Sequence, residues 1–139
     1  MIAVGSLESS FRTQGRRITP QRALLFRSIE DLQEEHPTAE ALYVRAAREM
    51  PSLSLRTVYA TLKVLEDIKA VRSLDVGTGS MRICVNPWRH HHIVCIRCGK
   101  TQDVSVDVGP LEIPADRRRG FVLKGHDIVF RGICAGCRR

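Results

Sequence analysis

The chain is poor in aromatic residues. One Trp, two Tyr and four Phe among 139 residues amount to 5%, so any core has to be built from aliphatic side chains. No stretch approaches the roughly 18 consecutive apolar residues of a membrane helix, and no membrane partner is expected. The opening residues, MIAVGSLESSF, lack a basic segment leading into a long apolar run. No secretory leader is therefore expected, and the protein is read as cytoplasmic. Internal repeats and low-complexity tracts are absent. Acidic residues are in deficit, 15 Asp and Glu against 22 Lys and Arg, for a net charge of +7. Before residue 30, Arg12, Arg16, Arg17, Arg22 and Arg27 face a single acid, Glu8. That excess points to a polyanionic partner such as nucleic acid.

What the chain does have is cysteine in a telling arrangement. Two Cys-x-x-Cys pairs, Cys95/Cys98 and Cys134/Cys137, use four of the five cysteines. In a reducing compartment such pairs bind metal more readily than they form disulfides. Four thiolates in two chelating turns make a closed tetrahedral zinc site with no open coordination position, which is structural in character. Gly99 and Gly136 let the backbone N–H groups approach sulfur.

The first half reads as helical. Thr19-Pro20 is an N-cap followed by proline at the first helical position, and Leu25, Ile29 and Leu32 follow at helical spacing. Thr38 caps a second helix with an apolar face of Ala39, Leu42, Tyr43, Ala46, Ala47 and Met50, stopped by Pro51. Ser54 caps a third, with Val58, Leu62 and Leu65 facing inward. The period then changes to alternation: Leu74 and Val76, the turn Gly77-Thr78-Gly79, then Met81, Ile83 and Val85. Three helices and a hairpin are the pattern of a winged helix-turn-helix, with the third helix entering the major groove. On that helix Arg56, Tyr59 and Lys63, with Thr57 beside them, form a stripe suited to phosphate and base-edge contacts. Asn86-Pro87 marks a break. Beyond it, strands are expected over His91 to Arg97, Gln102 to Val108 and Asp127 to Ile133, with at most a short helix between Gly109 and Gly120. The expected fold is α+β, with a winged helix over residues 1–85 followed by a small metal-stapled unit over 86–139.

The zinc pairs leave donors over: His36, Cys84, His90, His91, His92, Asp103 and His126. On a strand His90 and His92 share a face while His91 points away. Cys84 ends the wing just before the break. A metal held by Cys84, His90 and His92 would thus bridge the two halves, and its binding would fix the angle between them. A lone buried Cys84 otherwise acts as a small hydrophobe.

These residues resemble the ferric uptake regulator (Fur) superfamily over nearly the whole chain. The resemblance rests on Arg17-Ile18-Thr19-Pro20-Gln21-Arg22, His36-Pro37-Thr38-Ala39-Glu40, Arg56-Thr57-Val58-Tyr59, His90-His91-His92-Ile93-Val94-Cys95, Cys98-Gly99-Lys100 and the terminal cysteine pair. It implies a homodimeric, metal-responsive transcription factor, usually a repressor, with a C-terminal α/β dimerisation domain. Structural zinc is then implied on Cys95, Cys98, Cys134 and Cys137. A regulatory divalent metal is implied on His36, Cys84, His90, His92 and Asp103, and a further site, seen in some members, on His91 and His126, with Asp107 or Glu112 as its acid. Operator DNA would be met by Tyr59 and by Arg16 or Arg17. The family position that carries Asp or Glu in iron, manganese and peroxide sensors is Cys84 here, as is common in zinc sensors. Thiolate softness selects zinc over Fe(II) or Mn(II). His36 and Asp103 are kept as in Fur and PerR. Ala60 stands where iron-uptake members often have Arg, and the segment from Pro110 to Arg119 is shorter than the usual helix.

The expected function is a zinc-sensing, DNA-binding repressor with no small organic substrate. The alternatives within the family are a peroxide sensor, in which peroxide reacting at bound Fe(II) would oxidise His36 or His90, and an iron or manganese sensor. Outside it stand a zinc enzyme built on Cys84, His90 and His92, for which no general base is in register, and a zinc-ribbon adaptor indifferent to added metal.

Overall fold

The computed structural model describes Ile2, residues 5–85 and residues 90–139. The break expected at Asn86-Pro87 lies outside the described residues. Four helices come first: α1 (Ser6–Thr13), α2 (Pro20–Leu32), α3 (Ala39–Glu49) and α4 (Leu55–Asp67). Three of them start where the sequence puts a cap. Thr19 accepts from the Arg22 amide at 3.3 Å, Thr38 from Ala41 at 3.1 Å and Ser54 from Thr57 at 3.1 Å, each satisfying an N–H that the first helical turn leaves unpaired. The sequence reading misses α1. It is short, and its apolar signal is only Leu7 and Phe11, both fully buried. Phe11 packs on Phe26 with ring centroids 5.1 Å apart, and the Arg22 guanidinium lies over the Phe11 ring at 5.1 Å.

One core unites the helices, joining the Phe11–Phe26 pair to a mainly aliphatic cluster of Leu24, Leu25, Ile29, Leu42, Val58 and Leu65. A hairpin follows, β1 (Arg72–Leu74) against β2 (Arg82–Cys84), antiparallel with Arg72 opposite Cys84. Its loop is longer than the Gly-Thr-Gly turn alone. Asp75 accepts from the Gly77 amide at 2.9 Å, and Gly77 sits at φ 81° with Arg131 close enough that a Cβ would stand 3.0 Å from its guanidinium. Ile83, Cys84 and Val85 are all buried. The end of β2 is therefore covered on both faces, whereas Ser73 and Met81 stay exposed.

The remaining strands are β3 (His91–Cys95), β4 (Thr101–Val104) and β5 (Val129–Gly132), in the order β4-β3-β5. β4 runs antiparallel to β3 and β5 parallel to it. A parallel pair needs a long crossover, which here contains β4 and one 3-10 turn, Ala115–Arg117. All three strands are shorter than expected from alternation. β3 ends at Cys95 because the cysteine turn begins there, and Asp107 accepts from the Gly109 amide at 2.8 Å to form a turn where a strand was expected. The buried apolar cluster of this sheet is small, comprising Leu74, Val76 and Val94 with Val129 against them. Among the described residues no helix is long and apolar enough to cross a membrane.

Candidate metal centres

The parallel pairing of β3 and β5 sets Cys95 opposite Gly132, so the terminal turn folds back over the first. The Gly99 amide donates to Cys95 O at 2.9 Å and the Arg138 amide to Cys134 O at 3.1 Å, closing two equivalent turns. All four sulfurs lie within 4.8 Å of one another, and Cys98 Sγ is 3.8 Å from Cys134 Sγ. An edge of about 3.8 Å is what a tetrahedron with Zn–S bonds of about 2.3 Å requires. None of the four is in a disulfide. Amides of Cys134 and Cys98 aimed at Cys95 pull its thiol down to about 6. Hydrogen bonds from the Cys137 amide and thiol lower Cys134, whereas sharing with Cys134 and Cys98 pushes Cys137 up to about 12. Without a cation the cluster thus holds protons that a metal would displace.

The second cluster draws on both halves. His36 ends the 3-10 turn Gln33–Glu35 in the left-handed region, φ 49°. Cys84 ends β2, His90 precedes β3, and His92 and Asp103 are paired across β3 and β4. Asp103 Oδ1 is 2.7 Å from His36 Nε2, 2.8 Å from His90 Nε2 and 3.3 Å from His92 Nε2. Cys84 Sγ is 3.6 Å from His90 Nε2. The expectation that His90 and His92 share a face holds, with ring centroids 4.5 Å apart. Two overlapping triads can each hold a cation, His36–Cys84–His92 and His90–His92–Asp103.

His36 and His92 are 2% and 0% exposed, yet none of their four ring nitrogens makes a hydrogen bond of acceptable geometry. Their Nε2 atoms meet Asp103 Oδ1 as ion-pair contacts. Buried imidazoles without partners are costly, and a cation ligated through those lone pairs satisfies them. The donor set is three imidazoles, one thiolate and one carboxylate, a fit to a borderline-soft divalent ion.

Burial, then the neighbouring His90, lowers His92 to about 4. Burial opposes charge on His36 as well, but Cys84 and Asp103 outweigh it and raise that group. A histidine that folds with a depressed pKa contributes stability present above about pH 6.5 and lost as pH falls towards 4. For His92 that contribution is up to about 3 kcal/mol, with His36 acting in the opposite sense. With this cluster kept free of metal, the urea midpoint of the wild type should fall more steeply between pH 6.5 and 4.5 than that of His92→Gln. Parallel curves would contradict the assignment.

His91 leaves the opposite face of β3 and stacks on His126, centroids 5.9 Å apart and planes 17° from parallel. Its Nδ1 accepts from the Ile128 amide at 3.2 Å, leaving Nε2 as its remaining ring nitrogen. Of the two acids suggested for this pair, Glu112 lines an open cavity of 640 Å3 together with His126, while Asp107 is taken up by its turn.

On α4, Arg56 and Lys63 are exposed and Tyr59 is half exposed. Lys63 pairs with Asp67 at 3.1 Å. The Thr57 hydroxyl meets Ser54 Oγ at 2.9 Å, at the start of the helix. Tyr59 donates to Glu40 Oε1 at 2.5 Å, a contact between residues on different helices that spacing does not reveal. That bond raises the tyrosine pKa and lowers the carboxylate. Arg16 and Arg17 are exposed between α1 and α2.

A model of the ferric uptake regulator family matches residues 13–131. The peroxide-responsive repressor PerR of Staphylococcus aureus strain USA300 is 34% identical over 131 residues, covering 94% of this chain and 88% of that protein. Among solved structures, a zinc-bound manganese uptake regulator is 30% identical with a TM-score of 0.74, over 93% of this chain and 98% of the other. The Helicobacter pylori ferric uptake regulator Fur, at 21% identity, shares the fold with a TM-score of 0.70 over 100% of this chain and 98% of its own. The chain belongs to the ferric uptake regulator family, whose members are metal-dependent transcription regulators and not enzymes.

Proposed function

We propose that this regulator is a cytoplasmic, zinc-sensing repressor, a homodimer that grips double-stranded operator DNA when its histidine cluster is loaded. The observation that carries the reading is the convergence of His36, Cys84, His90, His92 and Asp103 from both halves, with the nitrogens of two buried imidazoles lacking hydrogen-bond partners. A bound divalent ion supplies there the electron-pair acceptor that the imidazole lone pairs need. Cys84 moves with the wing, whereas His92 and Asp103 move with the sheet. Holding all of them at one point selects one angle between the halves from those the chain samples. The thiolate in the set favours zinc over Fe(II) or Mn(II). Cys95, Cys98, Cys134 and Cys137 hold a second, structural zinc.

DNA is met by the exposed face of α4 with Arg56, Tyr59 and Lys63 and Thr57 beside them, and by Arg16 and Arg17. Dimerisation is supported by apolar side chains that one copy leaves in solvent, among them Phe121 at 73% and Val122 at 77% exposure, beside Leu111 and Leu123.

A peroxide sensor is the second reading, favoured by the 34% identity to peroxide-responsive repressors and by His36 and Asp103 standing in the cluster. One experiment separates the two. Protein loaded with Fe(II) and exposed to hydrogen peroxide is expected to gain no oxygen on His36 or His90 by peptide mass spectrometry, while a zinc chelator releases it from DNA. A single-oxygen adduct that tracks DNA release would replace the zinc reading with the peroxide one.

A further inference from the structure

Arg82 touches the frames of both metal centres. It lies on β2 two residues before Cys84, so both side chains leave the same face of the wing. Its Nη1 donates to His36 O at 3.4 Å and its Nη2 to Gly99 O at 3.1 Å. His36 belongs to the histidine cluster. Gly99 directly follows Cys98, and its amide closes the first cysteine turn through Cys95 O. The same Gly99 carbonyl accepts Thr101 Oγ1 at 3.0 Å. Thr101 is 1% exposed and lies on β4 two residues before Asp103.

Both ends of this link are tightly determined. Gly99 sits at φ +77°, and a Cβ there would stand 3.1 Å from Arg82 Nη2. Side-chain-bearing residues rarely adopt that backbone, so the turn and the guanidinium fit each other. At the other end His36 is held at φ 49°, a conformation that persists only where the surroundings over-determine it. Ile83, next to Arg82, adds a bond from its amide to Pro37 O at 2.8 Å. A guanidinium is a rigid planar fork, so a shift of the His36 loop cannot leave the Gly99 turn unmoved while both prongs stay bonded.

We propose that Arg82 is a positioning residue that couples the two metal centres, transmitting closure of the histidine cluster to the cysteine turn and the state of that turn back to His36. This rests on the two-site reading above. Coupling between sites is reciprocal: tightening one end tightens the other, and damage to the thiolate site lowers metal affinity at the histidine site.

The test is backbone hydrogen exchange on the full chain retaining its thiolate zinc, before and after one further equivalent of Zn2+ per chain. In the wild type the second equivalent should slow exchange across residues 96–101 about fivefold or more, the usual lower range of such couplings. Arg82→Met should lose that increment while keeping the increment in β3, and Arg82→Lys should keep part of it. Its affinity for the second zinc should fall by a similar factor. A merely structural arginine would change the baseline exchange and leave the zinc-dependent increment intact, which overturns the proposal. No increment in the wild type overturns it without any variant, so the test survives if Arg82→Met fails to fold. A wild type that takes up no second zinc overturns the two-site reading and this inference with it.

Discussion

Cys134→Ser is expected to lose one zinc per chain and to unfold the sheet that carries His90, His92 and Asp103, leaving the helical half folded. The reason is the imbalance between the two cores. The helices share a large, mainly aliphatic cluster, whereas the sheet packs only Leu74, Val76 and Val94 with Val129. A unit this small, with so few buried apolar side chains, is marginal on burial alone. The tetrahedral cluster closes the open end of β3 onto β5, and structural zinc sites contribute about 10–16 kcal/mol to small metallodomains. That exceeds or matches the total stability of an ordinary domain, about 5–15 kcal/mol. Removing one of four ligands thus removes most of what orders this half. Metal content, far-UV circular dichroism and the second melting transition report it together. Cys84→Ser, a substitution at the one cysteine outside the pairs, should leave the structural zinc and the sheet in place. A Cys134→Ser protein with an intact sheet would show that the hydrophobic cluster suffices.

His92→Ala is expected to abolish exchangeable metal binding. His92 is common to both triads, so its loss leaves neither with three donors. Disturbing a residue that merely orients a ligand costs about 10–100-fold in affinity, and losing the shared ligand should exceed that. The effect on the metal-free protein should be small by comparison. Truncating a buried ring usually costs about 3–5 kcal/mol. Here the cost is offset because buried nitrogens without hydrogen bonds, each worth about 1–3 kcal/mol, leave with the ring. A site kept for ligation rather than stability has this signature: large loss of metal affinity, little loss of fold. His91→Ala is the internal control, because His91 leaves the other face and stacks on His126. If His91→Ala and His92→Ala weaken the same metal equally, the alternation argument fails.

Much of this was legible in the residues, for reasons that can be named. Three caps, two prolines and aliphatic spacing mark α2, α3 and α4, because capping and periodicity are local. The two cysteine pairs announce a tetrahedral site because chelation is also local. Strand alternation alone separates His90 and His92 from His91. What escaped depends on contacts far apart in the chain. α1 shows only Leu7 and Phe11, and its burial is decided by Phe26. The parallel pairing of β3 with β5 depends on a crossover with almost no regular structure beyond β4. Glu40 meets Tyr59 across two helices, and Arg82 meets His36 and Gly99 across 46 and 17 positions. Expected strand lengths were too long because a cysteine turn and an Asx turn intervene where alternation continues.

The central claim is that ligation by His36, Cys84, His90, His92 and Asp103 sets DNA affinity. Fluorescence anisotropy of a selected operator duplex tests it most directly, titrating buffered free Zn2+ against protein that already holds its structural zinc, with uptake of the second zinc counted in the same samples. The account predicts that DNA binding rises in step with the second equivalent in the wild type and stays flat in His92→Ala. DNA binding that is complete before the second zinc enters, or that rises equally in His92→Ala, would contradict it.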